Sequence, residues 1–400
     1  MTITAMPDRL ELSSLSGTAA LRAAARLWFL VTVAGQLLFA FTVASFYGLT
    51  AARGDFWAWN RHMMHGYATG ETASNLVVAL HLFSAVIIIL AGAVQLVPQI
   101  RNRFPRFHRW NGRLYMLSAF TLSTAGLYMM WIRGSIADAS QRWGFTLNVV
   151  LLWLCVAMAV RYAIARDFRT HRRWALRLFL VVSASWFFRA GLFLSFLLFR
   201  SPVGFDPNTF TGPFLTFMSF AMFLFPLAFL ELYFRAQDRG GAPWRMAMAA
   251  GLAVLTLAMG AGILAAAGAV WIPSIKAAYD SRKSIAGTLL VTIESAGIDA
   301  AVKQYRELGS SNHATWNFDE SQLNTLGYQF VRAKKFKEAI RIFQLNVEAY
   351  PQSSNTWDSL GEAYLDGGNK LQSIVNYRKA LQLNPNNRTA AEALRKLGAS

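Results

Sequence analysis

Seven long apolar segments constrain the fold of this chain more than any other feature of its sequence. Each is about as long as the roughly 20 residues that a helix needs to cross the hydrocarbon core of a bilayer. They are 27–48, 73–98, 113–132, 144–165, 174–199, 211–234 and 246–272. Stretches such as LVVALHLFSAVIIILAGAVQLV lack the polar stripe that a helix of a soluble bundle presents to water. Residues 1–275 are therefore predicted to form a polytopic helical membrane domain.

The composition of the chain agrees with a membrane protein. Of its 400 residues, 54% are hydrophobic and 15% are charged, whereas about a quarter of the residues in soluble domains are charged. The formal net charge of +18 would also suit a nucleic-acid-binding protein. The basic residues, however, form short clusters between the apolar segments, a pattern that orients a chain in a bilayer. We therefore expect the lipid bilayer, and no nucleic acid, as a partner.

Arginines are concentrated in every second loop, and this asymmetry predicts the orientation of the chain. The loops after the second, fourth and sixth segments hold Arg101, Arg103, Arg106, Arg109, Arg166, Arg169, Arg172, Arg173, Arg235, Arg239 and Arg245. Positively charged loops stay on the cytoplasmic side. With seven spans the N-terminus is then cytoplasmic and the C-terminal part extracytoplasmic, which predicts a multi-pass protein of the bacterial inner membrane.

The C-terminal part is predicted to be a separate domain at 276–400. Up to Lys276, 24 basic residues stand against nine acidic ones, and all of the basic residues except Lys276 are arginine. From residue 278 onward, 15 basic and 12 acidic residues form a nearly balanced mixture. Such a change in composition marks a domain boundary.

Two copies of a 34-residue pattern occupy about 320–353 and 354–387. Four pairs of residues lie 34 positions apart: Leu326 and Leu360, Gly327 and Gly361, Phe343 and Tyr377, Pro351 and Pro385. This is the period of a helix–turn–helix repeat, and the chain resembles tetratricopeptide repeats here. The residues that carry the resemblance are Trp357, Leu360, Gly361, Tyr364, Tyr377 and Pro385. The resemblance implies binding of a protein or peptide partner and no catalysis.

The predicted fold class is all-α: a membrane bundle of about seven helices followed by a short α-solenoid. Because two repeats bury little core by themselves, the stretch 285–308 is predicted to add an irregular helical pair in front of them. The departures from the repeat pattern are mild, with Leu323 where Trp is usual and Ser373 where Ala is usual.

Two short strings place His, Arg and Trp at the start of an apolar segment: FHRWNGRLY at 107–115 and HRRWALR at 171–177. Together with His81 and Gln95, they resemble a bacterial family of predicted membrane proteins, domain of unknown function 2306, over about 60–235. The resemblance implies a multi-helix membrane fold and no particular activity.

The first interpretation of the two strings is an anchor at the membrane surface. Indole rings favour the headgroup layer, and guanidinium groups bind lipid phosphates. The anchoring residues would be Arg109, Trp110, Arg172, Arg173 and Trp174, flanked by Arg113 and Arg177. This interpretation explains the arginines and tryptophans, but it gives no reason for a histidine in each string.

The alternative is a haem b site, which would make the chain a membrane electron-transfer protein. Imidazoles on two helices ligate haem iron while nearby arginines hold its propionates. The candidate ligands are His81, His108 and His171, with Arg113 as a candidate for a propionate. A zinc or copper site at His62 and His65 is a weaker hypothesis, because no carboxylate is evident close by. On the anchor interpretation no cofactor is expected.

Arg189 is predicted to be a functional residue inside the membrane. It falls near the middle of the fifth apolar segment, where a charge is costly unless it faces the bundle interior and a partner. Gln36, Asn148 or a bound anion are candidate partners, whereas Glu231 is predicted near the opposite face. The third candidate function is therefore transport of a small anion.

Enzyme signatures are absent from the sequence. It contains no phosphate-cradling glycine loop, no HExxH and no GxSxG. Its one cysteine, Cys155, excludes an intramolecular disulfide. We therefore predict no catalytic residue and no metal site, and the leading hypothesis is a membrane protein that binds a partner as an anchor or scaffold.

Overall fold

The computed structural model describes residues 9–63, 66–68, 70–135, 138–206, 210–311 and 314–399, and most of them are helical. The chain divides into two compact units. The membrane unit consists of Met1–Leu49 and Tyr67–Tyr279, and the repeat unit consists of Thr50–Gly66 and Asp280–Ser400. The all-α fold class is confirmed.

Ten helices are described in the membrane unit. They are α1 (Arg9–Ala52, which ends in the repeat unit), α2 (Thr72–Gln95), α3 (Pro98–Arg103), α4 (Pro105–Trp131), α5 (Ala139–Ile164), α6 (Phe168–Val182), α7 (Ala184–Phe199), α8 (Pro213–Arg239), α9 (Ala242–Ala266) and α10 (Ile272–Tyr279). The π-helical segment Ala267–Trp271 joins α9 to α10. Local signals fix several helix starts. Pro105 and Pro213 lie in the first turns of α4 and α8, where a missing N–H costs nothing, and Asp138 caps α5 by accepting from the N–H of Ser140 at 2.7 Å.

Five described helices are long and apolar enough to cross a membrane, and a bent pair brings the number to six. The five are Gly17–Ala52, Thr72–Gln95, Ala139–Ile164, Pro213–Arg239 and Ala242–Tyr279, and the pair is α6 with α7. Six of the seven predicted segments therefore fall on such helices. The remaining one, 113–132, lies within α4, which is less apolar because Ser118, Thr121, Ser123 and Thr124 interrupt its sequence.

The break between α6 and α7 lies at Ser183, where the two helices meet at 51°. Gln36 of α1 donates from Nε2 to Oγ of Ser183 at 2.9 Å, and both side chains are buried. A buried amide needs such a partner because an unpaired polar group inside a bundle is costly. Gln36 thus bonds to the break itself, and no hydrogen bond joins it to Arg189, for which it was a candidate partner.

Helices α2 and α4 pack side by side over much of their length. A side-chain carbon added at Gly92 of α2 would lie 2.8 Å from Cε2 of Tyr115. One added at Gly112 of α4 would lie 2.9 Å from Nε2 of Gln95. Both distances are shorter than real Cβ atoms show, so a larger residue at either position would force the Tyr115 ring or the Gln95 amide to move.

The repeat unit contains three antiparallel helix pairs and a terminal helix. They are α11 (Ile285–Ala296) with α12 (Ile298–Ser311), α13 (Glu320–Arg332) with α14 (Phe336–Ala349), α15 (Ser354–Asp366) with α16 (Lys370–Leu383), and α17 (Arg388–Lys396). Strand β1 (Lys283–Ser284) pairs in parallel with β2 (Trp316–Asn317). The helical pair predicted at 285–308 is therefore present as α11 and α12.

The same kind of contact joins the two helices within each repeat. An added carbon at Gly327 would lie 2.6 Å from the ring of Phe343, and one at Gly361 would lie 3.0 Å from the ring of Tyr377. Each glycine is in the first helix of its pair, and each ring is in the second. Each repeat therefore places a glycine of its first helix against an aromatic ring of its second helix.

A segment from the other end of the chain completes the core of the repeat unit. The 3-10 turn Phe56–Arg61 begins after Asp55, whose side chain accepts from the N–H of Ala58. Trp57 in this turn is 8% exposed and belongs to the hydrophobic cluster that includes Ile285, Leu289 and Leu326. The repeat unit is therefore built from residues that precede and residues that follow Tyr67–Tyr279 in sequence.

Candidate functional site

The HRWNGRLY string forms a hydrogen-bonded network with the C-terminal end of α2. The amide of Asn111 donates to the backbone oxygen of Ala91 and to Oε1 of Gln95, each at 2.8 Å. Nε2 of Gln95 lies 3.3 Å from Nε2 of His108. Gly112 leaves the space that the Gln95 amide occupies. The His, Asn and Gly of the string thus hold one glutamine side chain in a fixed orientation.

This network fixes the tautomer of His108. Because Oε1 of Gln95 accepts from Asn111, its Nε2 is the donor towards His108, whose Nε2 must then be the acceptor. In the neutral ring the proton therefore lies on Nδ1. That atom is buried and has no hydrogen-bond partner. His108 consequently holds an unused N–H donor.

The second string lies close to the first. Nδ1 of His171 lies 2.8 Å from the backbone oxygen of Ala159, a contact that fixes the ring of α6 against α5. Tyr115 of the first string and Trp174 of the second pack in one hydrophobic cluster with Leu178. The structure thus brings the two strings, on α4 and α6, to the same part of the membrane unit.

Each string contains the same tryptophan–arginine stack, three residues apart on one helix face. The guanidinium carbon of Arg113 lies 4.7 Å from the ring centre of Trp110, and that of Arg177 lies 4.8 Å from the ring centre of Trp174. Trp110 is 68% exposed, whereas Trp174 packs against the core formed with Leu178 and Tyr115. A stacked, exposed Trp–Arg pair of this kind suits the headgroup layer.

The arginines of the two strings divide into paired and unpaired side chains. Arg173 donates to Asp238 of α8 at 2.6 Å, and Arg177 lies 2.6 Å from Glu231 of the same helix. Arg109 and Arg172 are exposed, and neither forms an ion pair with a described residue. Arg173 therefore binds a carboxylate of its own protein, and its charge is less available to lipid phosphates than those of Arg109 and Arg172.

His81 belongs to a different part of the membrane unit. Its Nδ1 lies 3.0 Å from the backbone oxygen of Leu122 in α4. Leu122 lies 14 residues beyond His108 along α4, roughly 20 Å along the helix axis, so the structure holds His81 apart from His108. No cluster of three or more metal-binding side chains occurs in the part of the chain that the structure describes. His62 follows the 3-10 turn of the repeat unit, and His65 lies outside the described residues.

Arg189 lies in α7, beyond the break at Ser183, and has no carboxylate partner among the described residues. Its Nη1 donates to the backbone oxygen of Ser185 at 2.8 Å, and its guanidinium carbon lies 5.1 Å from the ring centre of Phe39. The guanidinium thus lies between α7 and α1.

Asn148 and Glu231, the two other polar residues considered as partners of Arg189, do not contact it. Asn148 of α5 has a buried Oδ1 without a hydrogen-bond partner, and Glu231 pairs with Arg177. Neither residue forms a hydrogen bond or ion pair with Arg189, so the positive charge is not neutralised by them.

In the repeat unit, the first helices of the two repeats are joined by polar side chains. Oγ of Ser359 donates to Oδ1 of Asn324 at 2.9 Å, and the hydroxyl of Tyr328 donates to Oε2 of Glu362 at 2.8 Å. These contacts connect α13 to α15 along one face, which we call the first-helix face. Repeat solenoids bind their partners on such a face.

One carboxylate on this face lacks a partner. Oδ1 of Asp358 is buried and accepts no hydrogen bond, and burial raises the pKa of Asp358 to about 6. The sequence did not point to Asp358, because it occupies a position that the repeat pattern leaves variable. Its position immediately after the motif residue Trp357 was the only signal. The motif residues themselves are structural: Nε1 of Trp357 donates to the oxygen of Pro351 at 2.8 Å, and Gln344 donates to the hydroxyl of Tyr364.

Together these features define a multi-pass helical membrane protein with a C-terminal domain of helical repeats. A model of the family described as "Predicted membrane protein (DUF2306)" matches residues 78–233, so the predicted family is confirmed over this range. Over 59 residues, 15% of the chain, the sequence is 36% identical to Superkiller complex protein 3 of Homo sapiens, and the same values hold for the Mus musculus protein. The chain spans only 4% of the length of these curated relatives. No solved structure matches the chain.

Proposed function

We propose that this protein is a membrane-anchored binding protein, whose repeat unit captures a protein or peptide segment on the first-helix face. The observation that carries the proposal is the buried, unpartnered carboxylate oxygen of Asp358. A buried acceptor without a hydrogen bond costs about 1–3 kcal/mol, and this cost is recovered when a donor arrives. The proposed partner therefore presents an N–H donor, from a backbone amide or a basic side chain.

The charge of the first-helix face supports a basic partner. Its acidic side chains are Glu320, Asp358, Glu362 and Asp366, and Arg332 is the basic residue at the end of α13. An acidic surface attracts a positively charged segment and raises its rate of association.

The test is photo-crosslinking in membranes with the full chain. A photoreactive residue in place of Asn355, which is exposed on α15, should yield an adduct with the partner. Asp358→Asn should abolish that adduct. Asp299→Asn removes the same charge from α12, where Asp299 is 91% exposed, and should leave the adduct unchanged. An adduct that survives Asp358→Asn would refute the assignment of the face.

We further propose seven spans, with the N-terminus in the cytoplasm and the repeat unit outside it, in the cytoplasmic membrane of a bacterium. The packing of Trp57 in the core of the repeat unit supports this count. Because Thr50–Gly66 and the residues after Asp280 share a core, both must lie on the same side of the membrane. An even number of spans must then separate them. Without α4 there are five such spans, and α4 makes the number six.

A second candidate function is binding or transport of a small anion at Arg189. The observation in its favour is a guanidinium that lies between α7 and α1 and has no carboxylate partner among the described residues. Intramembrane arginines usually face a partner or a ligand pathway. Uptake of anions by vesicles that contain the protein tests this function, and Arg189→Gln should abolish the uptake.

A further inference from the structure

Two apolar side chains lie exposed, one helical turn apart, on α16 of the repeat unit. Leu371 and Val375 are 79% and 59% exposed. The side chains that this helix buries are Ser373, Asn376, Tyr377 and Ala380. With about 3.6 residues per turn, those four fall on one side of α16, and Leu371 and Val375 fall on the other. The apolar pair therefore belongs to an outward-facing surface of the repeat unit.

This exposure distinguishes α16 from the rest of the repeat unit. The other exposed large hydrophobic side chains described there are Phe56 and Val291, and each lies on a different element. Comparable exposure occurs in a candidate membrane span, where Leu257 and Leu264 are 75% and 74% exposed and lipid covers such side chains. Single exposed apolar residues are ordinary, whereas neighbouring ones that form a patch mark interaction surfaces.

The charged side chains of α16 are all basic. They are Lys370, Arg378 and Lys379, and the helix contains no Asp or Glu. Lys379 donates to the side chain of Gln382 at 3.0 Å, and Arg378 donates to the backbone oxygen of Ala399 at 2.9 Å. None of the three basic residues forms an ion pair with a described carboxylate. The apolar pair is therefore flanked by positive charge that the described part of the protein does not neutralise.

This combination of charge and apolar surface selects the kind of partner. Two copies of α16 packed through these side chains would bring only like charges together, which disfavours a symmetric dimer. An anionic phospholipid surface satisfies both features. Apolar side chains enter the boundary between headgroups and acyl chains, while Lys and Arg hold their charged groups among the phosphates. Because the chain is itself embedded in a bilayer, phospholipid is also present at high effective concentration.

We propose that α16 docks the repeat unit onto an anionic phospholipid surface. Leu371 and Val375 enter the headgroup boundary, and the three basic side chains of α16 bind lipid phosphates. This surface lies on the second helix of its repeat, so it is separate from the first-helix face and does not depend on the function proposed there.

The test uses the full chain in nanodiscs of phosphatidylcholine, with an environment-sensitive fluorophore attached at Gln382→Cys. Gln382 is exposed on α16, whereas the native Cys155 is buried. Phosphatidylglycerol is supplied either within the disc or as added vesicles, and a blue shift of the emission reports that the label has left water. Vesicles of phosphatidylcholine and soluble polyglutamate are separate additions.

Two variants separate the apolar contribution from the basic one. The first is Leu371→Ser with Val375→Ser, and the second is Lys370→Gln with Arg378→Gln and Lys379→Gln. The matched control removes the same charge from exposed residues of the first repeat, as Lys334→Gln with Lys335→Gln and Lys337→Gln. None of the replaced side chains is buried, so all variants should fold, which thermal unfolding verifies.

Phosphatidylglycerol should shift the emission of the wild type and of the control, and added salt should reverse the shift. Loss of the three charges should weaken vesicle binding about a hundredfold, since each basic residue near an anionic surface contributes about fivefold. The serine variant should also lose the shift.

The proposal is overturned if phosphatidylglycerol shifts nothing in either form, or if phosphatidylcholine shifts the emission equally. An equal loss in the charge variant and its matched control would overturn it as well. A shift with polyglutamate but not with phosphatidylglycerol would replace the lipid surface with an acidic protein as the partner.

Discussion

Trp57 and Gly287 lie against each other although the membrane unit separates them in sequence: a carbon added at Gly287 would lie 3.3 Å from Cβ of Trp57. Glycine at this position of α11 lets the indole reach the core of the repeat unit, where Trp57 is 8% exposed. One hydrogen bond reinforces the connection, since the guanidinium of Arg53 donates to the backbone oxygen of Asp280 at 2.7 Å. The loop after α1 is therefore a structural part of the repeat unit.

The first prediction concerns this loop. Trp57→Ala should destabilise the repeat unit by roughly 3–5 kcal/mol, the usual cost of truncating a large buried aromatic side chain. Hydrogen exchange of the full chain should show faster exchange in α11 and unchanged exchange in α5. Phe56→Ala is the control, because Phe56 is 36% exposed. Equal protection of α11 in both variants would mean that Trp57 does not support the core.

The second prediction is topological. Alkaline phosphatase fused after Ser400 should be active if the seven proposed spans place the repeat unit outside the cytoplasm. The same enzyme fused after Gly240, in the arginine-rich loop between α8 and α9, should be inactive. Green fluorescence from a reporter at Ser400 would contradict the model, since such a reporter folds only in the cytoplasm, and would require an even number of spans.

The third prediction concerns the contact between Gly361 and Tyr377. Gly361→Leu should destabilise the repeat unit by about 1–3 kcal/mol, because overpacking forces the paired helices apart. Gly361→Ala should have a smaller effect. The measurement is the thermal unfolding of the repeat unit within the full chain, followed by limited proteolysis. Gln372→Leu adds the same side chain at an exposed position of α16 and should leave the unfolding temperature unchanged. If this control lowered the unfolding temperature as much as Gly361→Leu, overpacking would not explain the effect.

The fourth prediction concerns the pH dependence of Asp358. Burial raises the pKa of Asp358 from 3.8 to about 6, so between these values the folded unit binds a proton that the unfolded chain has released. Stability should therefore fall as pH rises from about 4 to about 6, and it should stay lower above that range. Asp358→Asn should remove this dependence and stabilise the unit by roughly 1–2 kcal/mol at pH 7.

The same substitution separates stability from function. If Asp358 is kept as a carboxylate for a partner, Asp358→Asn stabilises the unit and at the same time abolishes the crosslink, a trade-off that is common at binding sites. Urea unfolding of the repeat unit across pH measures the first effect. A flat pH profile in the wild type would show that the carboxylate is not destabilised by burial.

The fifth prediction sets the anchor interpretation against haem. His108→Gln and His171→Gln should leave expression and folding unchanged, and the purified wild type should show no Soret band before or after dithionite. Changing Arg109, Arg113, Arg172 and Arg173 to Glu should instead reduce insertion or disturb orientation, since positive charge then orients the chain. A Soret band that vanishes in either histidine variant would favour the electron-transfer alternative.

Features that repeat or alternate along the chain could be predicted from the sequence. The 34-residue spacing that relates Gly327 to Gly361 indicated the helix pairs, because local periodicity dictates which residues of consecutive helices meet. The apolar segments gave the spans in the same way. Only 113–132 falls outside the six candidate spans, because its serines and threonines lower its apolar character while it packs against α2.

The tertiary structure alone decided which polar groups meet. From the sequence, Gln36 and Asn148 were candidate partners of Arg189. In the structure Gln36 bonds to Ser183, and Arg189 bonds to neither candidate. Such partnerships depend on the rotation of each helix about its own axis, which a nearly uniform apolar sequence does not specify.

The sequence by itself determined the helical class, the membrane segments, the repeats and the two basic strings, because each of these depends on the local composition and periodicity of the chain. Only the tertiary structure brought His108 to Gln95, Arg173 to Asp238 and Trp57 to the repeat core. Those contacts join residues from distant segments. They arise when packed helices leave room for one another, as Gly112 does for the amide of Gln95, and when buried polar groups must find partners that only the folded chain supplies.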